Sequence, residues 1–230
     1  MIPGISPTYP YKRVHNYFQY GDAVEIPYKV MQYLLDLPSA GYTPPDDNDY
    51  PRTRLKKYLY WDDPLPLSKP LPTPSQIRSV YFDPGKPDAP PDREKGYRIF
   101  PQSLVTQAQT QGQTILRCYA GPAYPYAPNQ MSEFEGQVTI CFEALSSTSY
   151  EANTRSTVLS RTFAMVCAIV DALNGVNIDG IGPFYYDRRQ NTYCGITPIN
   201  DESTNVGYRL YMGLTLAGGN IDNEFFADNR

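Results

Sequence analysis

Glu133, Glu135 and Glu143 are the residues of this chain best placed by type to do acid–base work. A pair of carboxylates can divide the labour of glycoside hydrolysis, one as proton donor and one as nucleophile or base. Acidic pairs are far commoner on surfaces than in active sites, and nothing else here completes such a site. The single histidine, His15, leaves a Ser-His-Asp triad unsupported. The phosphate-cradling patterns GxxxxGK[ST] and GxGxxG are absent. Asp46, Asp47 and Asp49 imitate the opening of a calcium loop, but the glycine and distal glutamate of that motif are missing. The four cysteines, Cys118, Cys141, Cys167 and Cys194, form no CxxC pair. They read as reduced packing residues rather than zinc ligands. The expectation is a non-enzymatic chain with no cofactor and no metal.

Composition shifts attention to surface. The chain has 230 residues and a net charge of −4, which argues against general nucleic-acid binding. The basic clusters Arg52–Lys57 and Arg188-Arg189 are short and read as solvated surface. Proline and tyrosine stand out, at 23 and 21 residues, and 20 of the prolines fall in residues 1–125. Proline fixes φ and removes a donor, so long helices and central strands are not expected there. Tyrosine suits half-buried contact surfaces. Met1-Ile2-Pro3-Gly4 lacks the basic-then-apolar order of a signal peptide. No apolar run approaches the roughly 18 residues that span a bilayer. A soluble chain made in a reducing cytoplasm is expected.

The elements that must position these residues are clearest toward the C-terminal end. Gly136–Leu145 alternates, with Val138, Ile140, Phe142 and Ala144 on one face and Gln137, Thr139, Cys141 and Glu143 on the other. Thr148 and Glu151 match a capping box opening a helix over Tyr150–Leu173. Its stripe is Val158, Leu159, Phe163, Val166, Ile169, Val170 and Leu173, and Asn174-Gly175 stops it. Phe184–Tyr186 and Tyr193–Ile199 flank a turn-like segment and predict a hairpin. In Val206–Leu216 the even positions are apolar, while Gly207, Arg209, Tyr211 and Gly213 face the other way. Gln76–Phe82, Tyr97–Phe100 and Thr114–Tyr119 read as strands, and Gly121–Asn129 as a loop.

The front reads differently. Tyr28–Leu37 predicts a short helix stopped by Pro38. Arg52–Trp61 suits either a helical turn or an extended piece. Pro64, Pro66, Pro70, Pro72 and Pro74 suggest a polyproline-like connector. The expected organisation is an extended arm, short helix and connector over 1–75, an α+β core over 76–220 and an acidic tail over 221–230. The core is expected as a mixed, mostly antiparallel sheet with a long helix on one face.

The segment Ile77–Leu216 resembles the tail terminator, or head–tail joining, proteins of long-tailed bacteriophages. The resemblance lies in the order Val80-Tyr-Phe-Asp-Pro84, Lys86-Pro-Asp-Ala-Pro-Pro91, Tyr97-Arg-Ile-Phe100, Phe134–Glu143, Ile169–Gly175 and Tyr208–Gly213. Residues 1–75 depart from that family's pattern, which is usually shorter. The resemblance implies a mixed sheet with helices on one side and a virion structural role. Copies would form a six-fold ring that caps the tail tube and docks the head connector or neck protein, with DNA only passing through. It implies partner contacts by Tyr9, Tyr11, Tyr17, Phe18 and Tyr20 of the arm, and by Asp83, Lys86, Arg93 and Lys95 of the following loop. Another neck, collar, head-completion or baseplate component is the alternative.

Overall fold

The computed structural model describes residues 25–36, 45–83, 95–102, 114–125, 135–147, 160–178, 181–200 and 205–217. The fold is α+β. Helices α1 (Ile26–Leu35), α2 (Pro51–Tyr60) and α3 (Pro74–Val80) precede strands β1 (Ile99–Phe100), β2 (Ile115–Pro125) and β3 (Glu135–Ser147). Helix α4 (Arg161–Leu173) follows, then β4 (Asn177–Ile178), β5 (Gly182–Tyr185), β6 (Gly195–Asn200) and β7 (Asn205–Ala217). The sheet order is β1-β2-β3-β7-β5-β4, with β6 also on β7. Only β1–β2 is parallel among these pairs, so the sheet is mixed and mostly antiparallel.

One face of the sheet carries the core. Cys118, Val138, Ile140, Phe142, Leu210, Met212 and Leu214 pack with Met165, Val166, Ile169 and Leu173 of α4. The same cluster contains Val30, Met31 and Leu34 of α1, Leu55 and Leu59 of α2, and Ile77 and Val80 of α3. Three helices between Ile26 and Val80 therefore join one shared core: α1 at the short helix expected at 28–37, α2 as the helical alternative for Arg52–Trp61, and α3 where a strand was expected. The boundary expected at residue 75 falls inside α3. The helix expected at 28–37 is α1, and it ends at Leu35, before Pro38. Asp36 closes it in the left-handed region at φ 50°, a conformation aspartate tolerates.

Four other expectations change. Gln76–Phe82 is not a strand: Thr73 and Gln76 form a capping box and Pro74 occupies the first turn of α3. Only Tyr81 beyond it makes an isolated parallel bridge, to Ile99. The helix expected from Tyr150 begins at Arg161, where Ser160 Oγ accepts the Phe163 N–H at 3.1 Å. The Thr148–Glu151 box, Val158 and Leu159 lie outside the described residues. The Gly121–Asn129 loop is strand as far as Pro125. Its prolines are accommodated because the register shifts between Ala120 and Ala123, and β1 pairs only with Leu116 and Arg117. Finally, β5 and β6 do not form a hairpin. Both pair antiparallel with β7 in succession along one edge, β5 at Leu214–Gly213 and β6 from Tyr211 to Val206.

The basic cluster at Arg52–Lys57 is structural. Asp36 holds Lys56 Nζ at 2.5 Å and also pairs with Arg52, joining α1 to α2. Lys57 pairs with Asp46 at 2.6 Å. Burial pushes the Lys56 ammonium below its usual range, against the hydrogen bond and charge of Asp36.

The end of α2 is held by two buried guanidiniums. Arg98, just before β1, donates to Leu59 O at 3.1 Å, Tyr60 O at 3.3 Å and both Asp62 carboxylate oxygens at 2.7–2.8 Å. Arg161, at the start of α4, donates to Trp61 O at 2.6 Å, Tyr58 O at 3.3 Å and Asp63 O. The last carbonyls of a helix have no partner within it, and cations there also meet the negative end of its dipole.

Removing either arginine should therefore be costly. Arg98→Met or Arg161→Met is expected to lower unfolding free energy by roughly 2–4 kcal/mol, because buried carbonyls lose their donors. Urea unfolding checks this; a loss below about 0.5 kcal/mol, the scatter of surface substitutions, contradicts the assignment.

Candidate functional site

The sheet face turned away from α4 carries the chemistry. Register sets its residues in rows across β2, β3 and β7. Arg117, Glu143 and Arg209 are opposite one another in one row. Tyr119, Cys141 and Tyr211 form the next. Glu143 Oε1 accepts from Tyr119 Oη at 2.7 Å and from Arg209 Nε and Nη2 at 2.8 and 2.6 Å. Arg117 Nη1 stands 3.5 Å from Oε2, a looser contact, and Arg117 Nε is buried without a hydrogen bond. Glu143 is buried, whereas the Arg117 and Arg209 side chains are 24% and 37% exposed. Among the described residues two guanidiniums thus share this carboxylate on a partly exposed face. Opposite-charge cross-strand pairs contribute a few tenths to about 1 kcal/mol each, so the row is also part of the sheet's stability.

The Glu143 carboxylate is taken up by the donors of Tyr119 and Arg209 and, more loosely, of Arg117. Glu133 and the side chain of Glu135 lie outside the description, so the expected carboxylate pair has one described member. Burial tends to lower Arg209, but the hydrogen bond and charge of Glu143 outweigh it and raise the guanidinium. Burial pushes the Tyr119 phenol up, with Cys141 and Glu143 adding to it. Burial likewise pushes the Cys141 thiol up to about 12, partly opposed by a hydrogen bond with Tyr119. A protonated thiol is a poor nucleophile and a poor metal ligand.

Glycines let this face close up. Tyr185 of β5 is paired with Gly213 of β7. Its ring occupies the space a side chain at 213 would need: an added Cβ would come within 2.2 Å of it. At Gly207 an added Cβ would reach 1.9 Å from Ala144 O. Asn191 is buried between β5 and β6 and donates to Thr139 Oγ1 at 3.1 Å, pinning the Asp187–Asn191 turn to β3. That turn exposes Arg188, while Arg189 pairs with Asp187 at 2.8 Å.

Of the sequence-predicted contact residues only Asp83 and Lys95 are described, and neither belongs to these rows. Tyr9, Tyr11, Tyr17, Phe18, Tyr20, Lys86 and Arg93 lie outside the described residues. Lys95 belongs to the α2 terminus: its Nζ is 3.3 Å from Asp62 Oδ2 and 4.8 Å from the Tyr60 ring centroid. Asp83 is half-buried beside Phe82. The acidic turn Asp46–Asp49 is tied by Lys57 and by the Leu71 N–H, which Asp46 accepts at 3.4 Å. Among the described residues no three His, Cys, Asp or Glu side chains are grouped to hold a metal ion, and all four cysteines are free thiols. No described helix is long and apolar enough to cross a membrane. No protein-family model matches the chain, and no curated protein matches it.

Arg117, Tyr119 and Tyr211 went unread in the sequence as a site. Alternation alone put Glu143 and Arg209 on non-core faces; register was needed to set them side by side.

The titration shifts carry a sign. Raised thiol and phenol values mean the folded state keeps protons that the unfolded chain gives up. The stability they contribute is full below 9.0, the ordinary thiol value, and is lost as pH rises through the folded values, toward 12 for Cys141. The melting temperature is expected to fall across that window, and less steeply in Cys141→Ser; a flat profile contradicts it. Near pH 8, Cys118, Cys141 and Cys194 should resist alkylation while half-buried Cys167 reacts first. Mass spectrometry after timed labelling reads this, and early modification of Cys141 is the contrary result.

Proposed function

We propose that this chain is a virion structural protein of the tail terminator type. In this reading its copies form a ring, six-fold in the family it resembles, that caps a tail tube and presents a second face to the head connector or neck protein. Its action is geometric rather than chemical: the ring stops polymerisation on one side and offers a docking surface on the other. Head-to-tail contacts between identical subunits close such a ring when their rotation closes. Assembly would begin in the host cytoplasm and end in the tail or neck of the particle, with DNA passing through without being gripped.

The observation that carries this reading is the Arg117–Glu143–Arg209 row beside Tyr119–Cys141–Tyr211. Arginine and tyrosine are enriched at the energetic centres of protein interfaces, where they combine broad contact with polar ends. Here they stand half-exposed on a rigid sheet whose opposite face already holds the core. The placement of helices α1 and α4 against that core face also fits the arrangement the resemblance implies.

Light scattering after size-exclusion chromatography tests the proposal. The purified chain, alone or with tube protein, is expected to give a discrete closed oligomer. Arg117→Glu together with Arg209→Glu should weaken that association at least about tenfold, the effect of roughly 1.4 kcal/mol at the interface. A strictly monomeric species at high concentration, still monomeric with tube protein, counts against the reading.

A further inference from the structure

We infer that Pro198 shuts the outer edge of β6 against a second copy of this chain. Among the described residues β6 pairs only with β7, over six residues, and Thr197 and Pro198 are exposed on it. A strand open on one side is a template for another strand. Proline removes one donor from that template, provided its nitrogen faces outward.

Register turns it outward. Leu116 donates its N–H to Arg98 O at 2.8 Å, so its backbone groups face the β1 side and those of Arg117 face β3. Facing residues of an antiparallel pair either exchange both bonds or both turn away, and the direction alternates along each strand. Glu143, opposite Arg117, therefore turns to β2. Arg209, opposite Glu143, turns away from β3 and exchanges bonds with Thr197 of β6. Pro198, the next residue, points its nitrogen out of the sheet edge. The same alternation turns the nitrogen of Pro125 outward on β2, because its partner Gly136 faces β7. Among the described residues β1 covers only Leu116 and Arg117 of that edge. Strands β3 and β7, paired on both sides, contain no proline. A strand laid on β6 would meet the Pro198 carbonyl but no N–H beside it, and one of its own carbonyls would stay unpaired. The inference concerns edge pairing and holds whether or not copies form the ring proposed above.

Restoring the donor tests it. Pro198→Thr is compared with the parent and with Thr197→Val, which keeps strand propensity high without adding an N–H. Light scattering gives masses across a dilution series, and hydrogen exchange reads single amides. Pro198→Thr is expected to grow beyond the parent's species at a concentration at least about tenfold lower than the parent does. Its new amide at 198 should exchange freely when dilute and become protected as that growth proceeds. Thr197→Val should behave as the parent. In the dilute parent the outward Ile196 amide should exchange quickly and the Thr197 and Ile199 amides slowly, and this pattern decides if Pro198→Thr does not fold. A variant no more associative than the parent, an equal gain in Thr197→Val, a protected 198 amide in the dilute variant, or a protected Ile196 amide in the parent each overturn the inference. The mass of the parent reports separately on the ring.

Discussion

The carbonyl end of helix α2 is the constraint around which the rest is arranged. The carbonyls of Leu59 and Tyr60 are buried and those of Tyr58, Trp61 and Asp63 partly so, and unpaired acceptors there are costly. Two arginines answer them from different parts of the chain. Arg98 arrives on the approach to β1, and Arg161 opens α4. Because β1 belongs to the sheet and α4 packs on β3 and β7, the pair fastens the front helices to both layers of the molecule. Asp62 balances Arg98, and Lys95 leans on the same carboxylate and on the Tyr60 ring. At the other end of α2, Asp36 takes Lys56 and Arg52 and so carries α1 along. Buried ion pairs cost desolvation, and their value here is in geometry: they decide where a short helix with a largely polar sequence must lie.

The second face of the sheet follows a different logic. A two-sided apolar sheet would need a second helical layer. Here β3 alternates, and its non-core side carries Thr139, Cys141 and Glu143, all buried yet polar or polarisable. Glu143 and Cys141 have partners across the strands and Thr139 takes the Asn191 amide from the turn between β5 and β6, so pairing holds this face. The small residues of β7 make room for it, with Tyr185 filling the gap over Gly213. The outcome is a firm platform on which the long side chains, Arg117, Arg209, Tyr119 and Tyr211, remain partly reachable. Rigid placement of such residues lowers the entropy cost of recognition.

Much of the rear half was legible from the residues. Alternation in Val138–Ala144 and Tyr208–Leu214 is physical periodicity, and the burial of those positions follows it. Asn174-Gly175 stopped the helix where expected, with Gly175 at φ 79°. In the front half α1, and α2 as one of two alternatives, were also legible, and what differs has identifiable reasons. Ile77, Val80 and Phe82 suggested a strand, but Thr73-Pro-Ser-Gln76 was already a helix start, with cap, proline and box residue in place. Arg52, Lys56 and Lys57 read as surface because composition does not disclose that Asp36 will meet Arg52 and Lys56, and Asp46 will meet Lys57. The hairpin between β5 and β6 failed because local turn chemistry cannot say that both segments prefer β7. The rows of the candidate face were hidden for the same reason. Register is a long-range property, and one strand's pattern gives only the side on which a residue stands.

The central claim is that the front helices and the sheet are one cooperative body joined at the end of α2. Native-state hydrogen exchange measures this directly. Amides of Leu55–Tyr60 in α2 and of Ile140–Ala144 in β3 should converge on the same opening free energy as denaturant is added. If instead α2 opens at a free energy well below that of β3, while the strands stay protected, the front half is an appendage and the account is contradicted.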